Sequence, residues 1–222
     1  MSVLFPTRIG SLLRVVLTAA VLLGAAVVAG VWYYFTPKYT RVGYQPLQPV
    51  AFSHRVHVEQ LGMDCRYCHS DVERAWFSNV PASATCMNCH NQVLKDDPRL
   101  ALVRESAATG RPIPWVQVHK LPDYVYFNHA VHVNRGVSCV ECHGRVDQMD
   151  EVYHAQPLSM AFCLDCHRDP AAKLRPLERI TDLAWQWSAD PAQAAQQQRA
   201  QGGKFVHDWK VESLQSCSAC HR

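Results

Sequence analysis

The pentapeptide Cys-x-x-Cys-His occurs five times in this chain and uses every one of its ten cysteines. The copies, numbered here as motifs 1 to 5, are Cys65-Arg-Tyr-Cys68-His69, Cys86-Met-Asn-Cys89-His90, Cys139-Val-Glu-Cys142-His143, Cys163-Leu-Asp-Cys166-His167 and Cys217-Ser-Ala-Cys220-His221. Two thiols three positions apart lie on one face of a turn, where each can form a thioether to a haem vinyl group. The adjoining imidazole is then aimed at the iron as its proximal ligand. A lone Cys-x-x-Cys is also half a zinc site, a thioredoxin-type redox pair or part of a disulfide framework, but none of these requires histidine at the next position. With histidine at about 5% of the chain, five such coincidences have a probability on the order of one in a million. The cofactor set read from the sequence is therefore five haem c, held by the ten cysteines, with His69, His90, His143, His167 and His221 as proximal iron ligands.

Seven histidines remain. Four belong to a second repeat: Phe52-Ser-His54-Arg-Val-His57 precedes motif 1, and Phe127-Asn-His129-Ala-Val-His132 precedes motif 3. Each Phe-x-His-x-x-His is followed by two haem motifs, so the chain carries two copies of a di-haem module and a fifth motif at its C-terminus. Histidines at i and i+3 project from one helical turn towards two different irons. His54 and His129 are expected to cap the haem of their own motif, and His57 and His132 to reach neighbouring haems. His119 has no repeat partner and is expected as a further distal ligand. Met160, three residues before Cys163, is either a thioether ligand, which would raise one haem's potential, or a core side chain beside Phe162. His154 and His207 are expected to be solvent-exposed or to support other ligands, and the distal ligand of the fifth haem is left open. Distal candidates sufficient for five irons argue for closed, six-coordinate haems and against substrate chemistry, so no catalytic residue is expected. A haem enzyme of the nitrite-reductase kind needs an open iron and typically carries a Cys-x-x-Cys-Lys copy, which is missing here.

Residues 15–35 form an uncharged apolar run that as a helix would be about 31 Å long, enough to cross the bilayer hydrocarbon. Trp32, Tyr33, Tyr34 and Phe35 close it as an interfacial belt. A cleaved signal peptide ending near residues 28–30 is the competing reading, but the run is long for one. Since c-type haems are attached outside the cytoplasm, the expected topology is a single span in the inner membrane. Its N-terminus, with Arg8 and Arg14, would be cytoplasmic and its haem domain periplasmic; Lys38 and Arg41 weaken the charge argument. Small residues from Ala19 to Gly30 suit packing against other membrane subunits as well as lipid contact.

The expected organisation is a cytoplasmic tip and anchor over 1–36 and a linker over 37–49. Di-haem module 1 follows over 50–98, a connection and module 2 over 99–174, and a C-terminal segment with the fifth haem over 175–222. The fold class expected is mostly α and irregular, with short helices and few strands, because haem burial replaces a layered core. Helices are expected at 97–108 and near 191–200, and Trp185, Trp187 and Trp209 as haem cover or partner contacts. A net charge of +3 without a basic block gives no support to nucleic-acid binding.

The repeated Phe-x-His-x-x-His with Cys-x-x-Cys-His resembles the class III cytochromes, the c3 and c7 group. The longer strings from Gln48 to His69, Leu121 to His129 and Pro157 to Arg168 resemble the penta-haem cytochrome of bacterial alternative complex III. That resemblance implies a relay component of a membrane complex that oxidises menaquinol in a respiratory or photosynthetic chain. It would take electrons from an iron–sulfur subunit beside a polytopic quinol-binding subunit. It would pass them to a mono-haem cytochrome, a terminal oxidase, or a soluble cytochrome or copper acceptor. The competing function is an anchored multihaem quinol dehydrogenase that takes electrons from quinol directly. That class keeps its first haem motif close to the span, whereas here about thirty residues separate Phe35 from Cys65.

Overall fold

A computed structural model describes residues 7–36 and 40–221. The Arg8 side chain and Lys38, two of the charges expected to bear on topology, and the start of the linker at Pro37 lie outside the described residues. The chain divides into two compact units, Met1–Val42 and Gly43–Arg222.

In the first unit, helix α1 runs from Thr7 to Phe35, starting a turn and more before the uncharged run. Its stretch Ile9–Phe35 is long and apolar enough to cross a membrane, and its described side chains are exposed throughout. An apolar helix with no buried face has nothing in its own unit to pack on, which is the condition of a helix solvated by lipid. Arg14 Nε donates to Gly10 O (3.2 Å), and Tyr33 and Tyr34 meet edge-on at 5.8 Å at the aromatic end.

The second unit is a set of short helices joined by irregular chain, and its described residues include only two isolated β-bridges, Val125 with His221 and Val137 with Leu174. The helices are α2 (Cys65–Cys68), α3 (Ser83–His90), α4 (Ala101–Thr109), α5 (His129–Val133), α6 (Cys139–His143), α7 (Met160–Arg168), α8 (Pro191–Asp208) and α9 (Cys217–Cys220). Local chemistry sets their ends. Asp64, Asn128, Ser159 and Asp190 accept hydrogen bonds from backbone amides of the turns they precede, and Gly110, at φ 72°, takes the left-handed conformation that stops α4. The helix expected at 97–108 is present, as a tight turn over Pro98–Leu100 continued by α4. The one expected near 191–200 continues to Asp208.

Among the described residues, nine apolar side chains are buried, and they are scattered: Val50, Val103 and Ile113 form one cluster, while Leu174, Ile180 and Leu183 lie elsewhere. A unit of this length held only by such a core would be marginal. Trp185, Trp187, Phe205 and Trp209 form an aromatic row with successive ring separations of 4.7, 6.4 and 4.3 Å, and Arg175 lies over Trp185. The row seats α8. Helix α8 crosses the 170–172 turn so closely that a Cβ on Gly202 would collide with the Ala171 carbonyl.

Candidate haem-binding sites

Each Cys-x-x-Cys-His is wound as one helical turn. In motifs 1 and 5 the histidine amide donates to the carbonyl of the first cysteine (both 2.9 Å), while motifs 2, 3 and 4 lie inside α3, α6 and α7. The winding puts both thiols of a motif on one side and the imidazole at its end.

The second repeat brings its rings to the motifs. His57 faces His90 with ring centres 6.2 Å apart, His132 faces His167 at 6.2 Å, and His129 faces His143 at 6.4 Å. Two metal–imidazole bonds of about 2 Å, with the offset from ring centre to nitrogen, place two axial rings about 6 Å apart. These three pairs therefore have room for one iron each. Phe52 and Phe127 do the same job in the two modules: each stacks on the second histidine of its repeat (4.4 and 4.7 Å) and meets the first edge-on (4.9 and 4.8 Å).

Hydrogen bonds fix which ring nitrogen is available. Nδ1 of His57, His69, His90, His129 and His132 lies 2.8–3.0 Å from the backbone carbonyls of Ser53, Asn79, Val93, Trp76 and Asn128 respectively. A carbonyl only accepts, so Nδ1 carries the proton and the Nε2 lone pair is left for a metal. His54 differs. Among the described residues the buried Nδ1 of His54 has no hydrogen-bond partner. Burial and the neighbouring His69 and His57 push His54 down to about 4, and burial with His119, His129, His69 and His54 pushes His143 down to about 3. Rings held neutral in this way are the form that binds metal. The donor set, its tautomers and its spacing fit haem iron.

The remaining candidates sit differently. His119 lies 4.4 Å from His143, closer than two rings across one iron, and stacks on His154 at 5.1 Å. Solvent exposure of His154 is overturned: the residue is 1% exposed. A lone histidine without a repeat gave no signal of this; its burial comes from the 151–156 segment pairing back on Gly43 and Tyr44 through backbone hydrogen bonds of 2.8 and 3.0 Å. His207 is on the surface, with Nδ1 2.9 Å from the Asp208 carboxylate. Met160 stands exposed at the start of α7. His221 packs beside Tyr124 at 5.8 Å.

Thiols of different motifs also approach one another. Cys65 and Cys139 are in hydrogen-bonding contact, which with burial drives the Cys65 thiol well above its ordinary range. Burial, helped by Cys166 and Cys163, pushes Cys142 up to about 12.

Comparison with known proteins agrees with the geometry. The chain is 31% identical over 198 residues to the multihaem cytochrome c subunit of menaquinone reductase from Nitratidesulfovibrio vulgaris (strain Hildenborough), covering 89% of this chain and 85% of that protein. Residues 50–108 and 125–222, which hold all five motifs and both Phe-x-His-x-x-His repeats, match the family described as cytochrome c7 and related cytochrome c, and the chain belongs to that family.

Proposed function

We propose that this chain is the membrane-anchored electron relay of a quinone-linked respiratory complex, carrying five covalent c-type haems on the extracytoplasmic side. The observation that carries the reading is the facing of His57 on His90 and of His132 on His167 at the spacing of two axial ligands, with Nδ1 of His57, His90 and His132 tied to carbonyls. Haem iron supplies one-electron exchange without making or breaking a substrate bond. The ten cysteines would hold the haems covalently, His69, His90, His143, His167 and His221 would be the motif-borne iron ligands, and His54, His57, His129 and His132 would supply the second set. His119 and Met160 are the remaining distal candidates. The burial that keeps His54 and His143 neutral would also keep water away from an iron held there.

The partners proposed are an iron–sulfur subunit, a polytopic quinone-binding subunit, and a mono-haem, oxidase or soluble cytochrome or copper partner, with α1 as a single span whose N-terminus is cytoplasmic. The resemblance to the penta-haem cytochrome of alternative complex III supports electron flow from menaquinol outwards. The relative in menaquinone reductase supports an assembly of the same kind running electrons towards the quinone. A row of closed irons conducts either way, so the direction belongs to the partners' potentials. Purification in mild detergent tests the assignment. Co-purification with the partner subunits, and haem reduction that depends on them, is expected. A chain that purifies alone and is reduced directly by menaquinol would be a quinol dehydrogenase instead.

A further inference from the structure

Motif order along the chain differs from motif order in space, and the cross-contacts give the spatial order. Tyr67 of motif 1 accepts a hydrogen bond from Asn88 of motif 2 (3.0 Å), and Cys68 and Cys86 are electrostatic neighbours. Motif 1 meets motif 3 through the contact of Cys65 with Cys139. Motif 3 meets motif 4: Cys142 neighbours Cys166 and Cys163, and Glu141 pairs with Lys173 and Arg175 just beyond α7 (3.3 and 3.5 Å). Motif 4 meets motif 5, with Cys163 beside Cys220 and Ser213 Oγ donating to His167 O.

An independent feature makes the same prediction for the first four motifs. The two modules exchange equivalent contacts. Arg55 N, in the first Phe-x-His-x-x-His, donates to Met149 O beyond motif 3 (3.1 Å), and Ala130 N, at the matching place in the second, donates to Ala75 O beyond motif 1 (3.2 Å). Arg55 and Ser53 reach Asp150, while Asn134 reaches Glu73 O. Such reciprocity is that of a two-fold arrangement. Its axis passes where equivalent residues meet, and Cys65 and Cys139 are equivalent and in contact. Motifs 1 and 3 are therefore central, and motifs 2 and 4 lie outside them.

We propose that the five haem sites form one unbranched row in the order 2–1–3–4–5, and that electrons enter and leave this chain at motifs 2 and 5. The proposal rests on the relay reading. The two cysteines that stand exposed are Cys89 and Cys217, one in each end motif, whereas the other eight are partly covered. An end site needs an open edge for a redox partner; an inner one needs neighbours on both sides, because tunnelling falls steeply with edge-to-edge distance. The partner at each end is another electron carrier, docked against 86–97 at one and 212–220 at the other.

Imaging the haem-loaded complex at side-chain resolution tests the order. Nearest haem pairs 2/1, 1/3, 3/4 and 4/5 are expected. A second haem lying closest to the third, as in chain order, would overturn the row while leaving the relay intact; fewer than five haems would overturn the relay itself. Kinetics give a second readout. In the holoprotein, Cys65→Ala/Cys68→Ala is expected to split reduction by a fast donor into two phases, with haem 2, about a quarter of the remaining haem signal, cut off from the other three. Cys86→Ala/Cys89→Ala is expected to leave a single phase. Two phases in the second variant and one in the first would contradict the order.

Discussion

His57 and His132 each bind their own turn through Nδ1, which leaves Nε2 available, and each ring lies 6.2 Å from that of a histidine in the second haem motif of its module. Removing one ring should then affect one iron. His57→Ala is expected to convert about a fifth of the haem from low-spin to high-spin, read by electron paramagnetic resonance, with haem content unchanged because the thioethers are untouched. Spin state unaltered in all five haems would show that His57 is not a ligand. Asp64 is a second residue with a single-site consequence. Its carboxylate caps α2, pairs with Arg66 at 2.8 Å and accepts from Thr181 at 2.9 Å. The Arg66 hydrogen bond, against a smaller opposing effect of burial, holds it down at about 2. The folded pKa lies below the unfolded one, so the stabilisation is complete above about pH 4 and is lost as pH falls through the folded value. Asp64→Ala is expected to cost about 1 kcal/mol at neutral pH, and to flatten the acid limb of a stability-versus-pH curve between about pH 4 and 2. An unchanged acid limb would contradict this. At this scale the sequence was legible wherever residues repeat. The Phe-x-His-x-x-His copies stand out because two segments carry the same spacing. His154 does not, because its burial depends on a backbone pairing with residues 43–44, about 110 positions away in the chain.

Short helices here are fixed by caps and by what they cross, with little help from amphipathic faces. Ser159 and Asp190 start α7 and α8, signals that can be read one residue at a time. The end of α8 could not be read in that way. Gly202-Gly203 looks like a stop, yet the helix runs on to Asp208, because Gly202 is where it passes against the Ala171 backbone. Packing overrides propensity at that position. Gly202→Ala raises intrinsic helix propensity but introduces a collision with backbone. It is expected to destabilise the holoprotein by about 1–3 kcal/mol, seen as a lower thermal midpoint, while Gly203→Ala, which meets open space, should be neutral or stabilising. Equal effects of the two substitutions would mean that the crossing is not tight. The Trp185–Trp187–Phe205–Trp209 row belongs to the same crossing, which gives the tryptophans of this segment a packing role among themselves.

At the scale of the molecule, the unit Gly43–Arg222 has a mostly helical and irregular fold, as its sequence implies, because five Cys-x-x-Cys-His turns and their connections leave little chain for layers. The apolar helix α1 was legible as a continuous run and stands with no buried face. What the sequence did not disclose is how the two modules grip each other. Contacts such as Arg55 with Asp150 and Asn134 with Glu73 pair residues with no local signature. These contacts bring Cys65 to Cys139 and so reorder the motifs in space. The apolar core is small and scattered, so on the relay reading loss of haem is expected to destabilise the fold as well as abolish electron transfer. The most direct test is intact-protein mass spectrometry of the chain purified from its native membrane, read with haem absorbance per chain. Five covalent haems on ten alkylation-resistant cysteines are predicted. A mass short of five, or cysteines that react as free thiols or contain disulfides, would contradict the account.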